Sequence, residues 1–188
     1  MDHRLLLLEA FMKTCIRTLA LSSAALAVTA LALGPKEDLQ AALKKMLPVA
    51  EKAFAKEDIQ YFHKASTKDF SYTDVSGKTQ PKGPALAGLK QMFDTSSNIK
   101  VKINFTVASA TANQGVIDTV QKWSMDTKGP DGKPAKMSMT MKTQETLKKV
   151  GGQWLLHKIV EKGMSDMKMN GKPMGAPPTP APVAKAKG

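Results

Sequence analysis

The chain has 188 residues, 28 Lys and Arg against 16 Asp and Glu, a net charge of +12 and one cysteine. That length accommodates one domain with a full core plus flanking segments, and one cysteine excludes an internal disulfide framework. The only arginines are Arg4 and Arg17, so the rest of the chain lacks the bidentate donors that dedicated nucleic-acid and phosphate readers use. Lysines spread along the chain read as a solvated basic surface with weak attraction to anionic envelope surfaces, not as a specific nucleic-acid site.

Leu19 to Leu33 is an uncharged run of Leu, Ala, Val, Ser and Thr, preceded by Lys13 and Arg17. It is short for a membrane span of about 20 residues, and Ala30-Leu31-Ala32 offers a small-x-small cleavage site. Residues 1–32 therefore read as a secretory signal peptide, which predicts a secreted or periplasmic protein. Glu9 is unusual inside such a leader, and Met12-Lys13-Thr14 makes a more ordinary start. Cleavage would remove Cys15 and leave 25 lysines against 14 acids, net +11, with no thiol chemistry.

Pro35-Lys36-Glu37-Asp38 suits a helix start. Leu39, Leu43, Met46, Leu47, Ala50 and Phe54 continue at helical spacing, and Pro48 predicts a kink or a split. A second helix is expected from Glu57 to about Ala65, with Asp58 as a cap and Ile59 and Phe62 facing inward. Asp69 to Gly77 reads as a strand ending in a turn. Alternation puts Phe70, Tyr72 and Asp74 on one face and Ser71, Thr73 and Val75 on the other. Ser76 to Pro84 is a turn-rich loop, and Ala85 to Phe93 a third helix.

From Ile99 the period changes to two. Ile99, Val101, Ile103, Phe105 and Val107 alternate with polar residues, the clearest half-buried strand in the chain. Val116 to Asp126 and Lys136 to Val150 are further strands, and Gly151-Gly152 joins the latter by a hairpin to Gln153–Glu161. In that last strand Trp154, Leu156, Lys158 and Val160 share one face, and Leu155, His157 and Ile159 the other. The expected architecture is α+β, with helices packed in a curved antiparallel meander spanning residues 33–162. Residues 163–188, rich in Pro, Lys and Met, read as a disordered tail.

This element order resembles the nuclear transport factor two-like superfamily, with its SnoaL-like and ketosteroid-isomerase-like domains. The resemblance rests on Ala55-Lys56-Glu57-Asp58-Ile59, on Asp69-Phe70-Ser71-Tyr72-Thr73-Asp74 with Gly77, and on Gly151-Gly152-Gln153-Trp154-Leu155-Leu156-His157-Lys158-Ile159-Val160. It implies a cone-shaped, cystatin-like α+β roll whose open end is a ligand pocket, and a homodimer through the outer face of the sheet. In isomerase-like members an acid near the end of the first strand is the general base, and Asp74 matches that position. The tyrosine and protonated acid that hold the oxyanion in that group have no clear match.

Two readings of Asp74 stay open: a pocket acid, or a carboxylate bonded to the turn amides of Ser76 and Gly77. His63 is either a donor or a surface residue at a helix end, and His157 a satisfied sheet histidine. Trp123 and Trp154 read as core or pocket wall. With His63 and His157 the only histidines beyond the leader, no metal is expected, although Met164, Met167, Met169 and Met174 carry thioethers of the kind that suit Cu(I). No cofactor motif is present: there is no glycine-rich phosphate loop, nucleotide fingerprint or Ser-His-Asp arrangement.

The function expected is non-catalytic binding of a small, partly apolar ligand in a pocket lined by Phe54, Phe62, Phe70, Tyr72, Trp123 and Met125. The alternatives are an isomerase, dehydratase or cyclase type of enzyme, with Asp74 as base and Tyr72 or His63 as donor, and an envelope interaction module.

Overall fold

The computed structural model describes residues 34–174. The expected signal peptide and residues 175–188 of the expected tail lie outside the described residues. Helix α1 (Pro35–Ala55) begins with Pro at its first turn and Glu37 and Asp38 beside its N-terminal dipole. It runs through Pro48 as a single helix, not split in two. Pro48 cannot bond the carbonyl of Lys44, but both residues are exposed, so the unmet carbonyl faces water. Helix α2 (Ile59–Ala65) is capped by Asp58, whose Oδ1 accepts from Tyr61 N at 3.1 Å.

Strand β1 covers Ser66–Thr73, followed by β2 (Thr79–Pro81) and helix α3 (Lys82–Thr95). Four long strands complete the fold: β3 (Ser97–Ala110), β4 (Gln114–Lys128), β5 (Pro134–Val150) and β6 (Gln153–Met169), with a short β7 (Lys172–Pro173). The sheet order is β2-β1-β6-β5-β4-β3, with β7 folded back on β6. The expected meander covers β3 to β6. The whole sheet is mixed, because β1 joins β6 in parallel, with Tyr72 opposite Ile159.

Strand β6 departs from simple alternation at three points, two of them on either side of Glu161. Leu147 pairs Leu156 while Thr146 pairs Lys158, so His157 is an extra residue; Thr143 pairs Glu161 while Lys142 pairs Gly163, so Lys162 is another. Each bulge reverses which face the following residues take. Leu156 points inward, and so do Ile159 and Glu161. The sheet also continues beyond residue 163, where a tail was expected. The 17 residues of β5 outlast the first part of β6 and supply backbone partners for Met164 to Met169.

The core has two centres. Leu39 and Leu43 of α1 pack on Val107, Ile117, Leu147 and Trp154 of the four long strands. Fully burying such a leucine contributes about 1.5–3 kcal/mol. The approach is close enough that a Cβ on Gly115 would lie 2.2 Å from Leu39 Cδ2, so any larger residue there forces the buried Leu39 side chain to move. The second centre joins Phe93 of α3 to Ile99, Val101, Trp123 and Met125. Polar ties fix α1 at both ends. Asp38 Oδ2 accepts from Lys149 Nζ at 2.8 Å and Trp154 Nε1 at 3.0 Å. Glu51 Oε1 accepts from Ile103 N at 2.8 Å, which occupies a donor on the edge strand β3.

Candidate functional site

Between the three helices and the inner face of the sheet lies a cavity of about 400 Å³. Leu43, Met46, Leu47, Ala50 and Phe54 of α1 form one wall, and Ala85, Leu86, Gly88, Leu89 and Met92 of α3 another. Tyr61, Phe62 and Ala65 of α2 close it on a third side, and the floor comes from all the strands except β7. The aromatic wall is rigidly packed: the Phe54 ring centroid is 4.5 Å from Phe62 and 4.8 Å from Trp123. An apolar enclosure of this size with few polar groups is the ordinary form of a small-molecule site.

Five of the six expected pocket residues, Phe54, Phe62, Phe70, Tyr72 and Trp123, line this cavity. Met125 does not. It lies two residues further along β4 and packs into the second core centre with Phe93 and Ile99.

The expected catalytic trio is not brought together. Strand β1 ends at Thr73, one residue before Asp74, so the alternation that would aim Asp74 beside Tyr72 stops short. The Asp74 carboxylate sits in the turn instead. Its Oδ1 accepts from Ser76 N at 2.9 Å, Ser76 Oγ at 2.6 Å and Lys78 N at 3.0 Å. These bonds, Ser76 first, hold its pKa below the usual carboxylate value although desolvation opposes them. That makes Asp74 a weaker base, not a stronger one. His63 is exposed in the last turn of α2 and does not line the cavity. Its carbonyl, with those of Ser66 and Thr67, accepts from Lys82 Nζ at 2.8, 3.0 and 3.1 Å, which ties the end of α2 to the start of α3.

Tyr72 does line the cavity, but its hydroxyl hydrogen is donated to Glu161 Oε2. Burial first, and the Glu161 carboxylate second, raise its pKa well above the usual phenol value. His157, in the first bulge of β6, lies outside the cavity lining, with Nδ1 3.2 Å from both Thr67 Oγ1 and Asp69 Oδ1.

The polar centre of the cavity is a group that sequence reasoning missed. Glu145 of β5 is 8% exposed and borders the cavity. Its Oε1 meets Thr143 Oγ1 at 2.9 Å, Gln121 Nε2 at 3.1 Å and Thr119 Oγ1 at 3.2 Å. Thr119 and Thr143 are themselves 2.7 Å apart, and Trp123 Nε1 donates to Gln121 Oε1 at 3.1 Å. Burial pushes the Glu145 carboxyl up, and the hydrogen bonds oppose that only in part. No Lys, Arg or His lines the cavity. The pattern was there to be read: Met137, Met139 and Met141 share a face of β5, and the same parity continues through Thr143, Glu145 and Leu147. Among the described residues, no three His, Cys, Asp or Glu side chains converge as a set of metal ligands.

No protein-family model matches this chain, and no curated protein matches it significantly. Solved structures do. The chain is similar to a putative scytalone dehydratase from Novosphingobium aromaticivorans at 10% identity, covering 69% of this chain and 86% of that one, with a TM-score of 0.59. It is similar to the hexachlorocyclohexane dehydrochlorinase LinA-type3 from Novosphingobium barchaimii at 11% identity, covering 74% and 95%, TM-score 0.55. It is also similar to an uncharacterized protein with a cystatin-like fold from Caulobacter vibrioides at 12% identity, covering 68% and 89%, TM-score 0.51. At such identities the likeness is one of fold: a cystatin-like α+β cone, the architecture that the sequence resemblance implies.

Proposed function

We propose that this protein is an extracytoplasmic SnoaL-like domain of the nuclear transport factor two-like superfamily that binds a small, partly apolar molecule in its cone, without turnover. The observation that carries the reading is the cavity of about 400 Å³, walled by apolar side chains of every helix around one buried polar cluster. The leader-like residues 1–32 support export, and superfamily analogy supports a homodimer through the outer face of the sheet.

The test uses Gly88. It lines the cavity, and a Cβ built there meets no atom within 4 Å. Gly88 is exposed, so Gly88→Phe sets a bulky ring at the opening of the cavity on its α3 wall and, in a helix interior, does not lower helix propensity. Wild type is expected to bind apolar fluorescent probes, and Gly88→Phe to lose them while keeping its thermal midpoint. Equal binding by both would contradict the reading.

A second reading is an enzyme of dehydratase or isomerase type. What favours it is the buried Glu145, together with a putative dehydratase and a dehydrochlorinase among the structural neighbours. In that case Glu145, not Asp74, is the acid–base group, and Glu145→Gln abolishes turnover of any substrate found.

A further inference from the structure

The pairing of β6 with β5 places the methionines after Gly163 in a folded sheet, not in a tail. Met137 stands opposite Met125 of β4 on one side and Met169 of β6 on the other. Met141 stands opposite Met164. Between these two rows lies the third irregularity of β6. Ser138 pairs Lys168 while Thr140 pairs Ser165, so Asp166 and Met167 together oppose Met139. Asp166 takes the extra position with a φ of 53°. Strand β7 then folds back on β6, and Met174 N donates to Met167 O at 2.8 Å, which sets Met174 beside Met167.

These thioethers share one face. Met125 is 5% exposed and belongs to the second core centre, so its face is the inner one. Met137 and Met169, opposite it in turn, take the same face, and Met167 and Met174 follow by alternation. Side chains directly opposite each other start from Cβ atoms about 4.5–5.5 Å apart, a gap that unbranched thioethers span. Core packing accounts for only part of the set. Met137 and Met139 pack on the second core centre. Met164, Met167 and Met169 are half-buried, Met174 is 36% exposed, and none of these four packs on either centre. Strand positions that serve pairing alone are filled best by β-branched and aromatic residues, so thioethers there call for another reason.

We propose that Met139, Met167 and Met174 form a Cu(I) site on the inner face of β5, β6 and β7, with Met169 in reach as a further thioether. The row crosses three strands, so backbone pairing sets the spacing of its sulfurs before any ion arrives. Thioethers are soft, uncharged ligands, and they select Cu(I) over harder divalent ions. No three His, Cys, Asp or Glu side chains converge among the described residues to hold Zn(II) or Cu(II) instead. The only thiol of the chain is Cys15, so none lies among the described residues to compete. Of the charged groups in this hairpin, the Asp166 carboxylate accepts from Ser165 Oγ at 3.2 Å, and Lys172, opposite Met169, is exposed and can keep its ammonium in water. The site is independent of the cavity, whose lining includes Met141 but not Met139, Met167 or Met174.

The test titrates Cu(I) anaerobically into the full chain carrying Cys15→Ser, in competition with the chromophoric Cu(I) chelator bicinchoninate. Methionine methyl carbons are followed by 13C NMR and assigned by their loss in single Met→Leu variants. The parent chain is expected to withdraw one equivalent of Cu(I) from the chelator. The methyl signals of Met139, Met167 and Met174 shift, that of Met46 on α1 does not, and Zn(II) moves none of them. Met167→Leu conserves side-chain volume and weakens Cu(I) binding at least about 10-fold, since even an outer-shell partner of a metal is worth that much. Combining Met139→Leu, Met167→Leu and Met174→Leu keeps the thermal midpoint and abolishes competition with the chelator. A parent chain that withdraws no Cu(I), or whose shifts fall on other methionines, would overturn the proposal, and so would a folded combined variant that competes as well as the parent. The shifts are read on the parent chain, so they decide the matter even where the combined variant does not fold.

Discussion

Asp74 and Glu145 carry the same functional group and meet nearly the same number of donors, yet their surroundings drive them in opposite directions. In the turn after β1, Asp74 is open to water and gains backbone amides of Ser76 and Lys78, which favour its charged form. On the cavity floor, Glu145 has lost its water, and two hydroxyls and an amide compensate only partly. Solvation thus decides which carboxylate is inert and which is poised, and a carboxyl whose neutral form is favoured is the one better able to donate as well as accept.

That contrast can be broken at several points. The largest effect is expected from Gln121→Leu. It leaves the Trp123 indole N–H without its acceptor and removes a donor from Glu145, at a cost of about 3 kcal/mol, read from the urea midpoint. Lys82→Met follows. It strands three carbonyls at the end of α2 between the two regions and costs about 2 kcal/mol, read the same way.

Glu145→Gln comes next, and its sign depends on pH. The folded pKa of Glu145 is raised above the ordinary 4.5. The unfolded chain therefore ionises first, and wild-type stability declines as pH rises from about 4.5 through the raised value. Glu145→Gln lacks that decline, so its thermal midpoint matches or exceeds that of wild type at neutral pH and falls relative to it in acid. Asp74→Asn should have the smallest effect. Asp74 stabilises the turn above the ordinary carboxyl range, and that contribution is lost as pH falls through its lowered pKa. The variant keeps an oxygen for Ser76 and Lys78, leaves probe binding unchanged, and shifts only the acid limb of the thermal profile.

Much of the molecule was legible in the residues. The periods of 3.6 and 2 located the helices and the four long strands, and Gly151-Gly152, with φ of 57° and 80°, closes its hairpin as a turn requiring two positive φ values does. The cavity wall followed from aromatic residues on the inner faces. What alternation could not supply was where a strand ends or bulges. Strand β1 stops one residue short of Asp74, and one extra residue in β6, His157, turns Glu161 inward. Those events depend on pairing with distant strands, which a local pattern does not encode. Glu145 and Gln121 were missed for a different reason. Each sits at an inward position of a regular strand, and the signal was a polar residue at an apolar parity, which is informative because buried polar groups demand partners.

The most direct test of the contrast is a pH titration of the side-chain carboxyl carbons by 13C NMR, with Glu145 and Asp74 assigned by their loss in Glu145→Gln and Asp74→Asn. The account predicts that Glu145 titrates above 4.5 and Asp74 below 3.8. A Glu145 midpoint at or below its ordinary value would contradict it.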